Sequence, residues 1–352
     1  MTIIKGTGSV LPETVVPNSK FDDHIFYDKD GVRNDRPGEE ITAKLEAITG
    51  IRERRYVPMD QDSRPLMTEA ARLAVADAGL GLNDLDGIIV THNAGNILIG
   101  EHAFHTVPNM AAYLKNALEI TNHECFAYDI LFACPGWLQA VIQAHQAIEC
   151  GDAENVLVVG IEIASRMLDP HDVDSMILGD GCGAAVFSRS PKDEGVVSHA
   201  TFSHANKDID AIYLGRSNNE DVPGSCWFKM NGKEVYRYAT TWVPQVIKKA
   251  LDKAKLSVSE VDMFLFHQAN EKLNQAIANN LAHLYEIAAE SFLGKLPMTI
   301  QFLGNTSVAT IPTMLDLILK KKLGEYEISK GNTVVMASVG AGMHCNALVY
   351  KF

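Results

Sequence analysis

The sequence predicts an α/β fold with mostly parallel sheets, arranged as two similar halves. Two observations carry this prediction. Apolar runs of strand length alternate with longer stretches of helical periodicity along the 352 residues, the order that βαβ units produce. Each half also closes on an apolar run behind a glycine-rich segment. Gly179-Asp180-Gly181-Cys182-Gly183 precedes residues 184–187, and Gly340-Ala341-Gly342 precedes residues 347–350. No repeat of identical residues accompanies this pattern. The polar seam Ser188-Arg189-Ser190-Pro191-Lys192-Asp193-Glu194-Gly195 separates the halves, placed at 1–190 and 191–352.

The elements follow in chain order. Residues 18–40 are charged and irregular, a solvated insertion whose functional reading is a lid. Residues 66–78 put Leu66, Ala70, Leu73, Ala74 and Ala78 on one helical face. Residues 88–90 form a short apolar run of buried-strand type, as do 156–159, 184–187, 263–266 and 333–336. Further helices are predicted over 137–148, 272–284 and 311–323.

Composition narrows the function. Asp+Glu number 44 against 31 Lys+Arg, a net charge of −13. Such a surface repels nucleic acid and anionic membranes at long range. The six cysteines include no C-x-x-C pair, so no zinc site is expected, and a chain able to bury its own core needs no disulfide framework. No run is apolar enough for a membrane span or a signal peptide. A reducing cytoplasmic setting is expected.

Three residues stand out chemically. Cys134 follows a strand-like run at 126–133 and precedes Pro135-Gly136 and a helical pattern. Proline favours the first helical position, so Cys134 is expected at the N-cap, where the helix dipole lowers a thiol's pKa. This strand-turn-helix placement is that of a nucleophile elbow, although a cysteine among Phe, Ala and Leu also reads as a small buried hydrophobe. His267 ends the run at 263–266, and Asn305 lies in Gly304-Asn305-Thr306-Ser307 just before a helix. Singly, these two read as a structural histidine and a turn residue. Together, the three provide a nucleophile and hydrogen-bond donors for a thioester oxyanion, with backbone N–H groups of Cys134 and the 340–342 turn as a second oxyanion site.

With these residues the chain resembles the thiolase-fold condensing enzymes, and among them β-ketoacyl-acyl-carrier-protein synthase III. The resemblance runs nearly end to end. It is carried in order by Gly6-Thr7-Gly8-Ser9-Val10-Leu11-Pro12, Thr49-Gly50-Ile51-Arg52-Glu53-Arg54-Arg55, residues 129–136, Gly179 to Ala185, Asn231-Gly232-Lys233-Glu234-Val235, His267-Gln268-Ala269-Asn270, Gly304-Asn305-Thr306-Ser307 and the closing Asn346 to Phe352. It implies a five-layered α-β-α-β-α thiolase-like structure, a homodimer and no cofactor beyond thioester substrates. Cys134 would take an acyl group. A malonyl- or β-ketoacyl-type thioester would lose CO2 or a proton, and His267 and Asn305 would hold the enolate oxygen. The backbone N–H of Cys134 and that of Ala341 or Gly342 would hold the second oxyanion. Asn305, where elongating synthases carry a second histidine, marks the priming type. Ser338 stands where thiolases carry a second cysteine. The plant-type Gly-Phe-Gly-Pro-Gly turn is absent.

The chain also departs from this family. Lys44 and Val173 occupy the places of a Trp and an Arg that sandwich the coenzyme A adenine, which favours a carrier-protein-bound donor. Val107 stands where a Phe closes the acyl pocket, with Phe104 as the alternative wall, and the stretch 93–105 is longer than usual, as is 281–301. Pro135 and Trp137 replace Ala and Phe beside the nucleophile, and Trp137 is placed in the substrate pocket. Acyl carrier protein is acidic, so docking is expected at a local basic patch, Arg237 and Lys272; Asn279 and Asn280 replace further basic residues there. These differences open a role in specialised metabolism, polyketide or resorcinol-like, beside fatty-acid synthesis. Two rival readings are acyl transfer to an alcohol or amine without carbon–carbon bond formation, and a non-catalytic partner subunit of a ketosynthase heterodimer.

Overall fold

The computed structural model describes residues 1–97, 104–292 and 294–352. Two sheets organise them. The first runs in the order Thr2–Val10, Asp180–Arg189, Asn155–Ile163, Gly87–Thr91, Phe126–Ile130. Its first two pairings are antiparallel and its last two parallel. The second runs Gly195–Ser203, His344–Lys351, Thr333–Gly340, Met263–Phe266, with two antiparallel pairings and then a parallel one.

Both sheets are therefore mixed, against the expected parallel bias. The cause is local to the end of each half. The strands Thr333–Gly340 and His344–Lys351 are joined by Ala341–Met343 alone, too short for the crossover that parallel neighbours require. The glycine-rich 179–183 segment is not a turn either, because the strand starts at Asp180. Its glycines serve close packing. A Cβ on Gly183 would lie 2.6 Å from the Thr313 backbone nitrogen, so only glycine lets the strand meet the helix Thr310–Leu319 at that depth.

The apolar faces stack these elements into five layers. Helices Gly136–Cys150 and Thr310–Leu319 lie between the sheets. Trp137, Val141, Ile148, Ile311, Met314 and Ile318 share one core with Ile89 and Val158 of the first sheet and Leu265 and Met336 of the second. Helices Ser63–Asp77 and Met110–Ala117 cover the outer face of the first sheet. Helices Gly232–Ala254 and Glu271–Leu284 cover the outer face of the second.

Three of the four predicted helices match within a few residues. The fourth ends at Leu319 rather than 323, where Lys321 turns left-handed at φ 55°. The insertion at 18–40 is not simply a solvated loop. Phe21 and Phe26 are buried with Ile41, Leu45, Ile51 and Met176. Arg54, fully buried, donates to the carbonyls of Val16 and Met176 and to Asn18 Oδ1, and its guanidinium lies 5.0 Å from the Phe21 ring centroid. These contacts tie the insertion to the body.

Candidate active site

The strand Phe126–Ile130 delivers the chain to a sharp elbow. Ala133 sits at φ 50°, a left-handed conformation that an L side chain adopts at a cost of order 1 kcal/mol. Pro135 is the N-cap and the helix begins at Gly136, so Cys134 lies one residue before the N-cap position expected for it. The elbow is pinned from the last strand, where Asn346 Nδ2 donates to the Pro135 carbonyl at 3.0 Å. The turn after Gly340 packs on the same point, bringing Ala341 and Gly342 beside Cys134.

The electrostatics reverse one expectation. Burial pushes the Cys134 thiol up to about 11 and the nearby Glu162 adds to the rise, while a hydrogen bond from Ser307 opposes it. Desolvation outweighs the helix dipole here, so the resting residue is a thiol.

His267 follows the strand Met263–Phe266, and its backbone N–H donates to the Ala337 carbonyl at 2.9 Å. Gln268 fixes the bend: its Oε1 accepts the backbone N–H groups of Thr299 and Ile300, and its Nε2 donates to the Phe266 carbonyl. Burial lowers the His267 imidazole to about 4, so it is neutral at pH 7. Its Nδ1 has no hydrogen-bond partner among the described residues. Asn305 is oriented by its own loop. Its Oδ1 accepts the Ser307 N–H at 2.8 Å, which leaves the NH2 end as the donor.

Cys134, His267, Asn305, Ala341 and Gly342 line one cavity of about 380 Å³ with mostly apolar walls. A second cavity of about 470 Å³ shares Met230, Val235, Ala269 and Asn305 with it. This outer vestibule is lined by Lys44, Val173 and Lys272, and by Arg36 from the insertion.

Other expected positions fall elsewhere. Trp137 is 1% exposed in the central core, 6.1 Å from the Phe187 ring, and does not line the cavity. As the second residue of the helix, it points into the core between the sheets rather than toward Cys134. Its indole N–H lacks a partner among the described residues. Val107 is 87% exposed and lies outside the cavity. Phe104 also does not line it but packs against Met167 and Leu178, which do. Residues 98–103 of the long 93–105 stretch, and residue 293 of the 281–301 stretch, lie outside the described residues. Arg237 is exposed and bracketed by Glu234 and Asp208.

Sequence reasoning missed most of the cavity wall, including its polar and aromatic members. Glu162 and Asn93 line the wall beside Ser307, and Phe132 stacks on His344 with ring centroids 4.4 Å apart. A lone acid inside the apolar run Ile161-Glu162-Ile163 was the available signal for the first. Asp129 and His92 support this wall: His92 Nδ1 accepts the Gly95 N–H, so its Nε2–H donates to Asp129 at 2.9 Å. Among the described residues, no group of three His, Cys, Asp or Glu side chains is placed to hold a metal ion, and no helix is long and apolar enough to cross a membrane.

Fold and cavity define a thiolase-fold condensing enzyme. The family model for the 3-oxoacyl-[acyl-carrier-protein] synthase III C-terminal region matches residues 251–352, and that for 3-oxoacyl-[acyl-carrier-protein] synthase III matches 128–205. The β-ketoacyl-[acyl-carrier-protein] synthase III of Porphyra purpurea is 33% identical over 362 residues, covering 99% of this chain and 98% of its own. That of Staphylococcus haemolyticus is 30% identical with the same coverage. The solved 3-oxoacyl-[acyl-carrier-protein] synthase III of Aquifex aeolicus superimposes with a TM-score of 0.81 at 27% identity over 100% of both chains. The chain belongs to the β-ketoacyl-acyl-carrier-protein synthase III family.

Proposed function

We propose that this enzyme joins an acyl thioester to a malonyl or β-ketoacyl thioester by Claisen-type condensation, in fatty-acid or specialised-metabolite biosynthesis. The observation that carries the reading is that one apolar cavity is lined together by Cys134, His267, Asn305 and the turn after Gly340. Cys134 attacks the donor carbonyl, and the acyl group becomes a thioester on its sulfur. The second thioester loses CO2 or a proton. A neutral His267 retains one ring N–H, and with the Asn305 NH2 it donates to the enolate oxygen. The carbanion then attacks the acyl-Cys134 carbonyl, whose oxyanion is held by the backbone N–H of Cys134 and that of Ala341 or Gly342. Donors fixed in a dry site are each worth a few kcal/mol, about 3, to such a step.

The donor is carrier-bound. The vestibule supports this, since Lys44 and Val173 offer no flat ring to stack an adenine, while Arg36, Lys44 and Lys272 offer positive charge to a phosphate arm. Lys272 and Arg237 are the docking contacts for an acidic carrier, with Lys272 the better placed because Arg237 already faces two carboxylates. The enzyme works as a cytoplasmic homodimer without a cofactor. A second copy is supported by the edge strand Phe126–Ile130, half-buried throughout, and by Leu131, 63% exposed beside it. Its halves are 1–190 and 191–352, each closing on an antiparallel strand pair.

Release of CO2 from a malonyl thioester, together with a new β-ketoacyl product, tests the reaction. Acyl transfer to an alcohol or amine without CO2 would replace it with the non-condensing rival. The intact nucleophile and donor set argues against a non-catalytic partner subunit.

A further inference from the structure

The condensation described above leaves one buried ionisable group of the cavity unused. Glu162, on the strand Asn155–Ile163, is 3% exposed and lines the cavity with Cys134. A carboxyl inside an apolar strand is costly unless it is held, and Glu162 is held by two polar neighbours. Asn93 Nδ2 donates both to its Oε2 and to Ser307 Oγ, which sets the Ser307 hydroxyl beside the carboxyl, where its hydrogen-bonding influence lowers the Glu162 pKa against the rise from burial. The same Ser307 Oγ accepts from Asn93 Nδ2 at 2.7 Å and lies 3.5 Å from Cys134 Sγ. Ser307 is kept at this junction by a left-handed φ of 52° and by the bond from its N–H to Asn305 Oδ1.

One hydroxyl carries one proton. It cannot donate to Cys134 and to Glu162 at once, and Asn93 already occupies an acceptor position on its oxygen. In the resting geometry the Ser307 hydroxyl is directed at Cys134 Sγ, so a transfer to Glu162 requires it to change partner.

We propose that Ser307 and Glu162 form a proton relay that deprotonates Cys134 as it is acylated. The inference rests on the reading of Cys134 as the acylated nucleophile. As Sγ attacks the donor carbonyl carbon, the S–H bond breaks. Its proton passes to Ser307 Oγ while the Ser307 proton passes to the Glu162 carboxylate. When the tetrahedral intermediate collapses, the bond from that carbon to the departing sulfur breaks. The path then runs backwards, and Ser307 delivers the proton to the leaving sulfur. Acyl group and proton have exchanged between two sulfurs, and Ser307 and Glu162 are restored. Ser307 touches the reacting atom. Glu162 acts only through Ser307 and is a positioning residue.

The energetics fit a relay. Burial holds Glu162 up to about 7, and the Cys134 thiol is held near 11. A base titrating near neutrality is half available at pH 7, the condition under which general-base catalysis is efficient. His267, lowered to about 4, is a much weaker acceptor. The other titratable groups around Glu162 are Cys134 on the elbow, His92 just past the neighbouring strand Gly87–Thr91 and already paired with Asp129, and His267 and His344 across the cavity.

The test is the pH profile of Cys134 loading, followed by intact mass from pH 5.5 to 9. Wild-type protein should load faster as pH rises through about 7, because the carboxylate is the active form. Glu162→Gln should lose that inflection and load about 100-fold more slowly at pH 8. Ser307→Ala breaks the relay while leaving the buried carboxyl in place, and should do the same. Alkylation of Cys134 by iodoacetamide gives a second profile that needs no thioester recognition. A merely structural Glu162 would lower the amount of active protein without moving the inflection. Loading by either variant within threefold of wild type, with the inflection kept, overturns the relay. Wild-type protein that takes no acyl group on Cys134 overturns the condensing reading instead, and the alkylation profile then still decides whether the relay exists.

Discussion

Gly340 lies directly against Cys134: a Cβ at this position would stand 2.8 Å from the Cys134 backbone nitrogen and 2.7 Å from Pro135 Cδ. The strand end and the elbow thus approach at a distance that only glycine permits. This contact brings the turn after Gly340 to Cys134, so a packing feature late in the sequence sets the geometry around a residue 206 positions earlier.

Gly340→Ala should therefore push the turn off the elbow. The backbone on both sides is buried and cannot give way cheaply, and overpacking of this kind costs about 1–3 kcal/mol. A lowered Tm together with loss of condensation is expected. A variant with wild-type Tm and turnover would remove the contact's role.

His267 makes stability depend on pH with a definite sign. Its imidazole is lowered from the ordinary 6.5 to about 4 by burial, so the unfolded chain takes up a proton that the folded chain refuses. The folded state loses stability as pH falls from about 6.5 toward 4, by about 2 kcal/mol between pH 7 and 5. Glu162 and Asp180, raised by burial to about 7 and about 6, act in the opposite direction. Comparison with His267→Gln isolates the histidine. Denaturant unfolding at pH 7 and pH 5 should show a smaller acid loss in the variant, and an equal loss in both proteins would contradict the buried neutral imidazole.

Lys272 projects its charge at the vestibule mouth. Lys272→Glu should raise KM for a carrier-bound donor about tenfold at low salt, with a smaller effect at about 0.5 M salt because surface charges are screened. Initial rates at the two salt concentrations check this. A salt-independent effect would point to packing rather than charge.

Much of this was legible in the sequence where local pattern and chemistry coincide. His267 and Asn305 sit at element ends, as their flanking apolar and glycine-rich segments imply, and the buried strands read directly from their unbroken apolar runs. What escaped depended on the third dimension. The thiol of Cys134 is raised rather than lowered because desolvation is set by walls contributed by distant segments. Trp137 faces the core because of where its helix starts, a difference of one residue. Arg237 is bracketed in part by Asp208, 29 positions away. Glu162 gained chemical meaning only when folding brought Ser307, from the other half of the chain, between it and Cys134.

The central claim is that Cys134 carries the acyl group. Intact-mass analysis of wild-type protein and Cys134→Ala, each incubated with a panel of acyl-carrier and acyl-coenzyme A thioesters, tests it most directly. The account predicts one added acyl mass on wild-type protein, mapping to Cys134, with carrier-bound donors loading faster, and no adduct on Cys134→Ala. An acyl adduct of equal yield on Cys134→Ala would contradict it.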